Sequence, residues 1–196
     1  MRLILASSSK TRKTLLYRIC RNSFEILPPE IDETPLSLED PKNLSERLSL
    51  EKALKISQLN RDAVVIGSDQ VAFCDGKILK KSNNLDDAFE QISWQVGKQT
   101  TFFTGLALVR NGGKEVQSGT IVSQVFYRDS NFISEKLVRD YVYKEKPLNC
   151  AGSTKLEGLG ICFIKRVETE DPSALMGLPL IKLCSFLKKW DVQPFA

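Results

Sequence analysis

The sequence predicts an α/β fold, a mixed, elongated twisted sheet with flanking helices, and three observations predict it. The run Ala63-Val64-Val65-Ile66 is continuously apolar and stops at Gly67, as an interior strand covered on both faces does. Amphipathic helical segments alternate with strand-like ones along the chain. Asp75-Gly76 and Asn111-Gly112-Gly113 are hairpin turns, which add antiparallel pairs to the sheet. The 196 residues, 42% hydrophobic and 27% charged, fit one globular domain spanning 1–196.

In order, Arg2-Leu3-Ile4-Leu5-Ala6 reads as a short strand. Ser7-Ser8-Ser9 then caps a helix over Thr11 to Cys20, with Leu15, Leu16 and Ile19 as its apolar stripe. This strand, small-residue turn and basic helix start can cradle an anion on free N–H groups beside Arg12; the alternative is an ordinary capped helix with solvent-facing bases. Phe24 to Leu27 is a second strand, and the acid-bearing loop Pro28 to Pro35 cannot be regular structure. Asp40-Pro41 starts the next helix, with Leu44, Leu48, Ala53 and Leu54 inward and Lys52 along it. The buried strand from Ala63 ends abruptly at Asp69, where open α/β sheets collect ligands. After the Asp75-Gly76 hairpin the return strand delivers Lys80-Lys81 toward Asp69. Asn84 caps a helix from Leu85 to Val96, Thr100 to Arg110 and Glu115 to Tyr127 form a strand pair, and a helix runs from Ser134 to Lys144. The stretch Cys150 to Gly160 is too rich in glycine and small residues for a helix and lets backbone approach a ligand. A strand from Ile161 to Val167 and a helix from Pro179 to Trp190 close the chain.

Composition narrows the chemistry. The absence of histidine removes Ser-His-Asp and Cys-His arrangements, so acid–base work falls on Asp, Glu, Lys, Tyr or Cys. Five scattered cysteines, never at metal-ligand spacing, argue against a disulfide framework or a zinc site. No apolar stretch approaches the roughly 20 residues that cross a bilayer and no signal-peptide pattern opens the chain, so a cytoplasmic protein without membrane association is expected. The net charge of +4 suits an anionic partner, but no basic stripe with interleaved aromatics supports nucleic-acid binding.

Carboxylates (Glu33, Asp69, Glu157), cations (Arg12, Lys52, Lys81) and hydroxyls (Ser7, Ser9) are the side-chain types that a phosphate ester needs. Arg and Lys neutralise phosphate oxygens, paired carboxylates hold Mg²⁺, and one carboxylate activates water in place of histidine. Asp69 is the candidate for that last role. No Walker-type loop and no GxGxxG occur.

The motifs Leu3-Ile4-Leu5-Ala6-Ser7-Ser8-Ser9-x-x-Arg12, Ile31 to Pro35, Glu51-Lys52-Ala53, Ile66-Gly67-Ser68-Asp69-Gln70-Val71, Asp75-Gly76 with Lys81, Phe103 to Leu108, Cys150 to Ser153 with Glu157 to Gly160, and Gly177 to Leu180 follow one another in the order of the Maf family. The chain thus resembles these nucleoside triphosphate pyrophosphatases over almost its whole length. Gln70 and Glu157 look like the branch that cleaves 7-methylguanosine triphosphate. The resemblance implies hydrolysis between the α and β phosphates, in a cleft between two lobes, with a divalent metal, usually Mg²⁺, and often a homodimer. It makes Asp69 the catalytic base and Glu33 with Asp69 the metal ligands. Ser7, Ser9, Arg12, Lys52 and Lys81 would bind the triphosphate, and Thr11, Gln70 and Glu157 would lie near the base.

Three departures bear on this. Lys10 replaces the usual proline, Thr11 stands where the 7-methylguanosine branch tends to carry an aromatic, and Lys80-Lys81-Ser82 replaces Gly-Lys-Pro, which predicts a freer lysine loop. Alternative readings are a pyrophosphatase of broader nucleotide specificity and a weakly active, Maf-like regulator of cell division.

Overall fold

A computed structural model describes residues 2–21 and 23–194. Its elements run β1 (Arg2–Leu5), α1 (Lys10–Cys20), β2 (Glu25–Ile26), α2 (Pro41–Ser57), β3 (Ala63–Cys74), β4 (Lys77–Leu79), α3 (Leu85–Gln95), β5 (Gln99–Arg110), β6 (Glu115–Tyr127), α4 (Glu135–Glu145), β7 (Ile164–Thr169) and α5 (Leu180–Lys189). Helix starts fall where the caps at Ser9, Asp40 and Asn84 predict them, and these three with Ser134 each accept a backbone N–H from the first turn that follows. The mixed sheet is ordered β2-β1-β3-β5-β6-β7, with β4 also on β3. β1 pairs in parallel with β2 and β3, whereas the β3–β4 and β6–β7 pairs are antiparallel.

The chain divides into two compact units. The first comprises the chain up to Gln70, Thr104–Ile121 and the chain from Asp171 onward; the second comprises Val71–Phe103 and Val122–Glu170. In the first unit, strand alternation sorts the core into two layers. Leu3, Leu5, Val64, Ile66, Leu106 and Leu108 pack with Leu15 and Leu16 of α1 and Leu183 and Leu187 of α5. Ile4, Val65, Ala107 and Val109 pack instead with Ala53 and Ile56 of α2. Both faces are covered, which is why β3 opens on an unbroken apolar run rather than an alternating one. In the second unit, Ile92 of α3, Val138, Tyr141 and Val142 of α4, and Phe163 are buried, and the Tyr141 and Phe163 rings meet edge to face with centroids 4.9 Å apart.

Two local expectations are corrected. β3 does not end at Asp69 but runs on to Cys74. What ends is its partner: β1 pairs as far as Leu5 opposite Ile66, and β4 pairs only with Ala72 to Cys74, Leu79 lying opposite Ala72 and Lys77 opposite Cys74. The carboxylate therefore sits mid-strand, between the stretch of β3 that pairs with β1 and the stretch that pairs with β4. The strand expected over Ile161 to Val167 is instead a 3-10 turn, Leu159–Phe163, followed by β7. The turn leaves Ile161 and Cys162 exposed and buries Phe163, so the aromatic contact with Tyr141 overrides strand propensity.

Candidate active site

Strand geometry at residues 67–70 sends successive side chains to opposite faces. Gly67 and Asp69 face α2. A Cβ built on Gly67 would lie 2.1 Å from the Ser49 carbonyl oxygen and 2.9 Å from the Ala53 Cβ. One on Gly105 would lie 2.2 Å from the Ser45 carbonyl oxygen. Two glycines thus let α2 press its backbone onto β3 and β5. Lys52, next to Ala53, thereby reaches across the strand: its Nζ donates to Asp69 Oδ1 at 2.5 Å and pairs with Glu33 Oε1 at 2.7 Å. The Lys52 and Asp69 side chains are 8% and 13% exposed and that of Glu33 is 48%, so the cluster opens on the glutamate side.

Ser68 and Gln70 take the other face. The Ser68 hydroxyl lies 2.7 Å from the Gly105 carbonyl and 2.9 Å from that of Gly177. The Gln70 amide N–H group meets the carbonyls of Ala174 and Leu175 and the Thr104 hydroxyl. Nε2 is thereby committed to protein acceptors. Arg12 Nε donates to the Gly177 carbonyl at 2.7 Å, and a terminal nitrogen of its guanidinium lies 3.4 Å from Ser7 Oγ. Burial holds the Arg12 pKa below its ordinary value, and the nearby Asp69 and Glu33 carboxylates oppose that shift. Ser9 is the helix N-cap, accepting from the Arg12 N–H, and Ser7 Oγ accepts from the Ser9 N–H. Both serines are engaged locally, as the capped-helix alternative expected. Thr11, in the first turn of α1, is half-buried.

Ser7, Ser9, Thr11, Arg12, Glu33, Lys52, Asp69 and Gln70 all belong to the first unit. Lys81 and Glu157 belong to the second, where both are exposed. Each acts electrostatically on the Cys150 thiol, which burial pushes up to about 11, Glu157 adding to the shift and Lys81 opposing it. The loop bearing Lys81 is not free: Ser82 is buried, its hydroxyl 2.6 Å from that of Ser153. Hydrogen bonds replace the constraint that a proline would have supplied.

The sequence reading missed three residues that organise the site. Asp171, 1% exposed, accepts N–H bonds from Ser173, Ile181 and Lys182 and the Ser173 hydroxyl, and so fixes the segment whose carbonyls hold Arg12 and Gln70. Arg47 binds Glu39, Glu51 and the Thr34 carbonyl, bracing the loop that follows Glu33. Ser68 is the third. An Asp-Pro pair like the one that starts α2 was the available signal for Asp171; nothing local marked Arg47.

Among the described residues, no group of three or more His, Cys, Asp or Glu side chains gathers around a metal position. The donor chemistry nevertheless fits a hard divalent cation. Glu33 and Asp69 converge on one point now held by an ammonium, and Mg²⁺ typically takes only one or two carboxylates, with phosphates and water completing its shell. No helix among the described residues is long and apolar enough to cross a membrane.

The fold is α/β, and its site sets a lysine-bridged carboxylate pair near the half-buried Arg12. Residues 2–190 match the family model described as Maf-like protein, and the chain belongs to the Maf family. It is 41% identical over 194 residues to a protein of Colwellia psychrerythraea named 7-methyl-GTP pyrophosphatase, covering 99% of this chain and 95% of that one. A protein of the same name from Cupriavidus pinatubonensis is 44% identical over 195 residues, covering 100% and 96%. A solved structure of a HAM1 protein from Coxiella burnetii is similar with a TM-score of 0.45 at 12% identity, over 65% of this chain and 73% of that one, too distant a likeness to carry weight.

Proposed function

We propose that the chain is a nucleoside triphosphate pyrophosphatase that hydrolyses the α–β phosphate bond of a modified nucleotide, 7-methyl-GTP before others, to the monophosphate and pyrophosphate. The observation that carries this reading is the Lys52 ammonium bridging Asp69 and Glu33 in a largely buried position. The names of relatives that are 41% and 44% identical over nearly the whole chain support it.

In this reading Asp69 accepts a proton from the attacking water. The water oxygen bonds to the α-phosphorus, the bond to the bridging oxygen breaks, and pyrophosphate leaves with that oxygen. Lys52 holds the Asp69 carboxylate in one orientation, so the base needs no reorganisation when water arrives. Arg12, Lys52 and Lys81 neutralise phosphate oxygens, with Ser7 and Ser9 beside them. Mg²⁺ held by Glu33 and Asp69 would supply charge neutralisation on the phosphates. Thr11, Gln70 and Glu157 are assigned to the nucleobase, for which the Gln70 Oε1 and the Glu157 carboxylate are acceptors suited to the guanine N1–H and amino group.

Pyrophosphate release from a nucleotide panel that includes 7-methyl-GTP, with Mg²⁺ and with chelator, tests the reading. Metal-dependent turnover is expected, falling about a thousandfold in Asp69→Asn; no release from any nucleotide would defeat it. Thr11 favours a second reading of broader specificity, because threonine offers no ring to a cationic methylated base. Equal kcat/KM on GTP and 7-methyl-GTP would select that reading.

A further inference from the structure

Lys81 lies in an irregular five-residue link, Lys80 to Asn84, between β4 and α3. Four of these residues are exposed, and Ser82 alone is buried. A lysine on such a link would sample many positions and lose that freedom on binding an anion. Ser82 limits the sampling at the adjacent residue. Its hydroxyl accepts from Gln91 Nε2 of α3 at 2.9 Å and shares a 2.6 Å hydrogen bond with Ser153.

Ser153 is itself tightly held. It follows Gly152, and both have left-handed backbone, with φ of 54° and 67° respectively, a conformation that costs free energy for serine unless the surroundings impose it. The surroundings do so. The Gly152 carbonyl accepts from Gln95 Nε2 at 2.8 Å and the Ser153 carbonyl from the Tyr141 hydroxyl at 3.1 Å. Tyr141 in turn accepts the Lys155 N–H at 2.9 Å, and Tyr127 donates to Thr154 at 2.8 Å. Buried polar networks satisfied in this way are rigid. The segment that leads to Glu157 is thus fixed against α3 and α4, and the Ser153 hydroxyl is where it grips the lysine link.

We infer that Ser82 is a positioning residue for Lys81: its hydrogen bond to Ser153 locks the lysine link to the segment carrying Glu157, so that the Lys81 ammonium that meets the triphosphate and the Glu157 carboxylate are held at a set spacing. The inference rests on the proposed pyrophosphatase reading for what Lys81 binds. It concerns Ser82 and Ser153, which that reading leaves without a role.

Its test is a double-mutant cycle in the full chain. Ser82→Ala and, separately, Ser153→Ala should each raise KM for the best nucleotide by about tenfold with kcat changed less than about twofold, the loss expected for one buried hydrogen bond. The combined variant should be no worse than the worse single one. In a Lys81→Ala background, Ser82→Ala should add nothing to KM, because the residue acts only through the lysine. An unchanged KM in both single variants overturns the inference, as does a Ser82→Ala effect that persists in full without Lys81. If the wild type releases no pyrophosphate, the functional reading falls instead. The same cycle read by calorimetric binding of inorganic pyrophosphate then decides the latch, with additive losses from Ser82→Ala and Lys81→Ala counting against it.

Discussion

Lys52 and Asp69 form a 2.5 Å ion pair that joins the middle of α2 to the middle of β3, and Glu33 enters from a loop to share the same ammonium. The pair exists because Gly67, two residues before Asp69 on the same face, lets the helix backbone lie directly on the strand. Packing and chemistry are therefore one arrangement. A side chain at position 67 would change the site without touching a ligand.

Replacing Lys52 by methionine keeps the stem and removes the charge. Two carboxylates would then face each other without a cation, and leaving a buried charge unpaired costs about 3 kcal/mol. A lower Tm and a fall in kcat of at least about a hundredfold are expected, from thermal unfolding and pyrophosphate release. Added Mg²⁺ should raise the Tm of Lys52→Met more than that of the wild type, since the cation would fill the charge deficit.

Gly67→Ala tests the close approach itself. The new Cβ would meet the Ser49 carbonyl oxygen at 2.1 Å, backbone that cannot swing aside like a flexible side chain. Overpacking against backbone should cost about 3 kcal/mol or more. Denaturant titration should show a lower midpoint, and any folded fraction should turn over more slowly because Lys52 is displaced from Asp69.

Asp171→Asn removes one of the carboxylate oxygens that together receive the Ser173 N–H and hydroxyl and the Ile181 and Lys182 N–H groups. Leaving buried donors unsatisfied costs about 1–3 kcal/mol. The segment it fixes supplies the carbonyls that hold Arg12 and Gln70. A raised KM is therefore expected beside the lost stability. A lower Tm with unchanged KM would show that the segment only supports the fold.

Arg47 holds the Glu39 carboxylate below its ordinary value, chiefly through a side-chain hydrogen bond. A depressed carboxylate pKa contributes stability that is fully present above the unfolded value, roughly 4.3, and is lost as pH falls through the folded value. Arg47→Met should therefore lower the Tm at pH 7 and flatten the acid limb below about pH 4.3 relative to wild type. Melting curves from pH 7 to pH 3 check the sign. The loop after Glu33 also loses its brace to the Thr34 carbonyl, so weaker activation by Mg²⁺ is expected.

Local chemistry made most of the fold legible. A capping side chain satisfies free N–H groups within a few residues of itself, so Ser9, Asp40 and Asn84 marked their helices in the sequence. The run Ala63 to Ile66 announced a strand covered on both faces, and Asp75-Gly76 announced the hairpin of β3 with β4. The 3-10 turn Leu159–Phe163 was not legible, because the Tyr141 ring that draws in Phe163 lies on a separate helix.

The sequence by itself determined which residue types were available: without histidine, acid–base work was left to Asp, Glu, Lys, Tyr or Cys, and Asp69 stood out as an acid at the apparent end of a buried strand. Tertiary structure alone decided what those residues meet. Lys52 reaches Asp69 because two glycines admit α2, Arg12 turns to Gly177 because Asp171 fixes a distant segment, and Ser82 finds Ser153 across 71 residues of chain. Caps and strand runs depend on neighbours within a turn or a pleat. A shared ammonium or a latched hydroxyl depends on where remote backbones come together, and that is set by packing of the whole core.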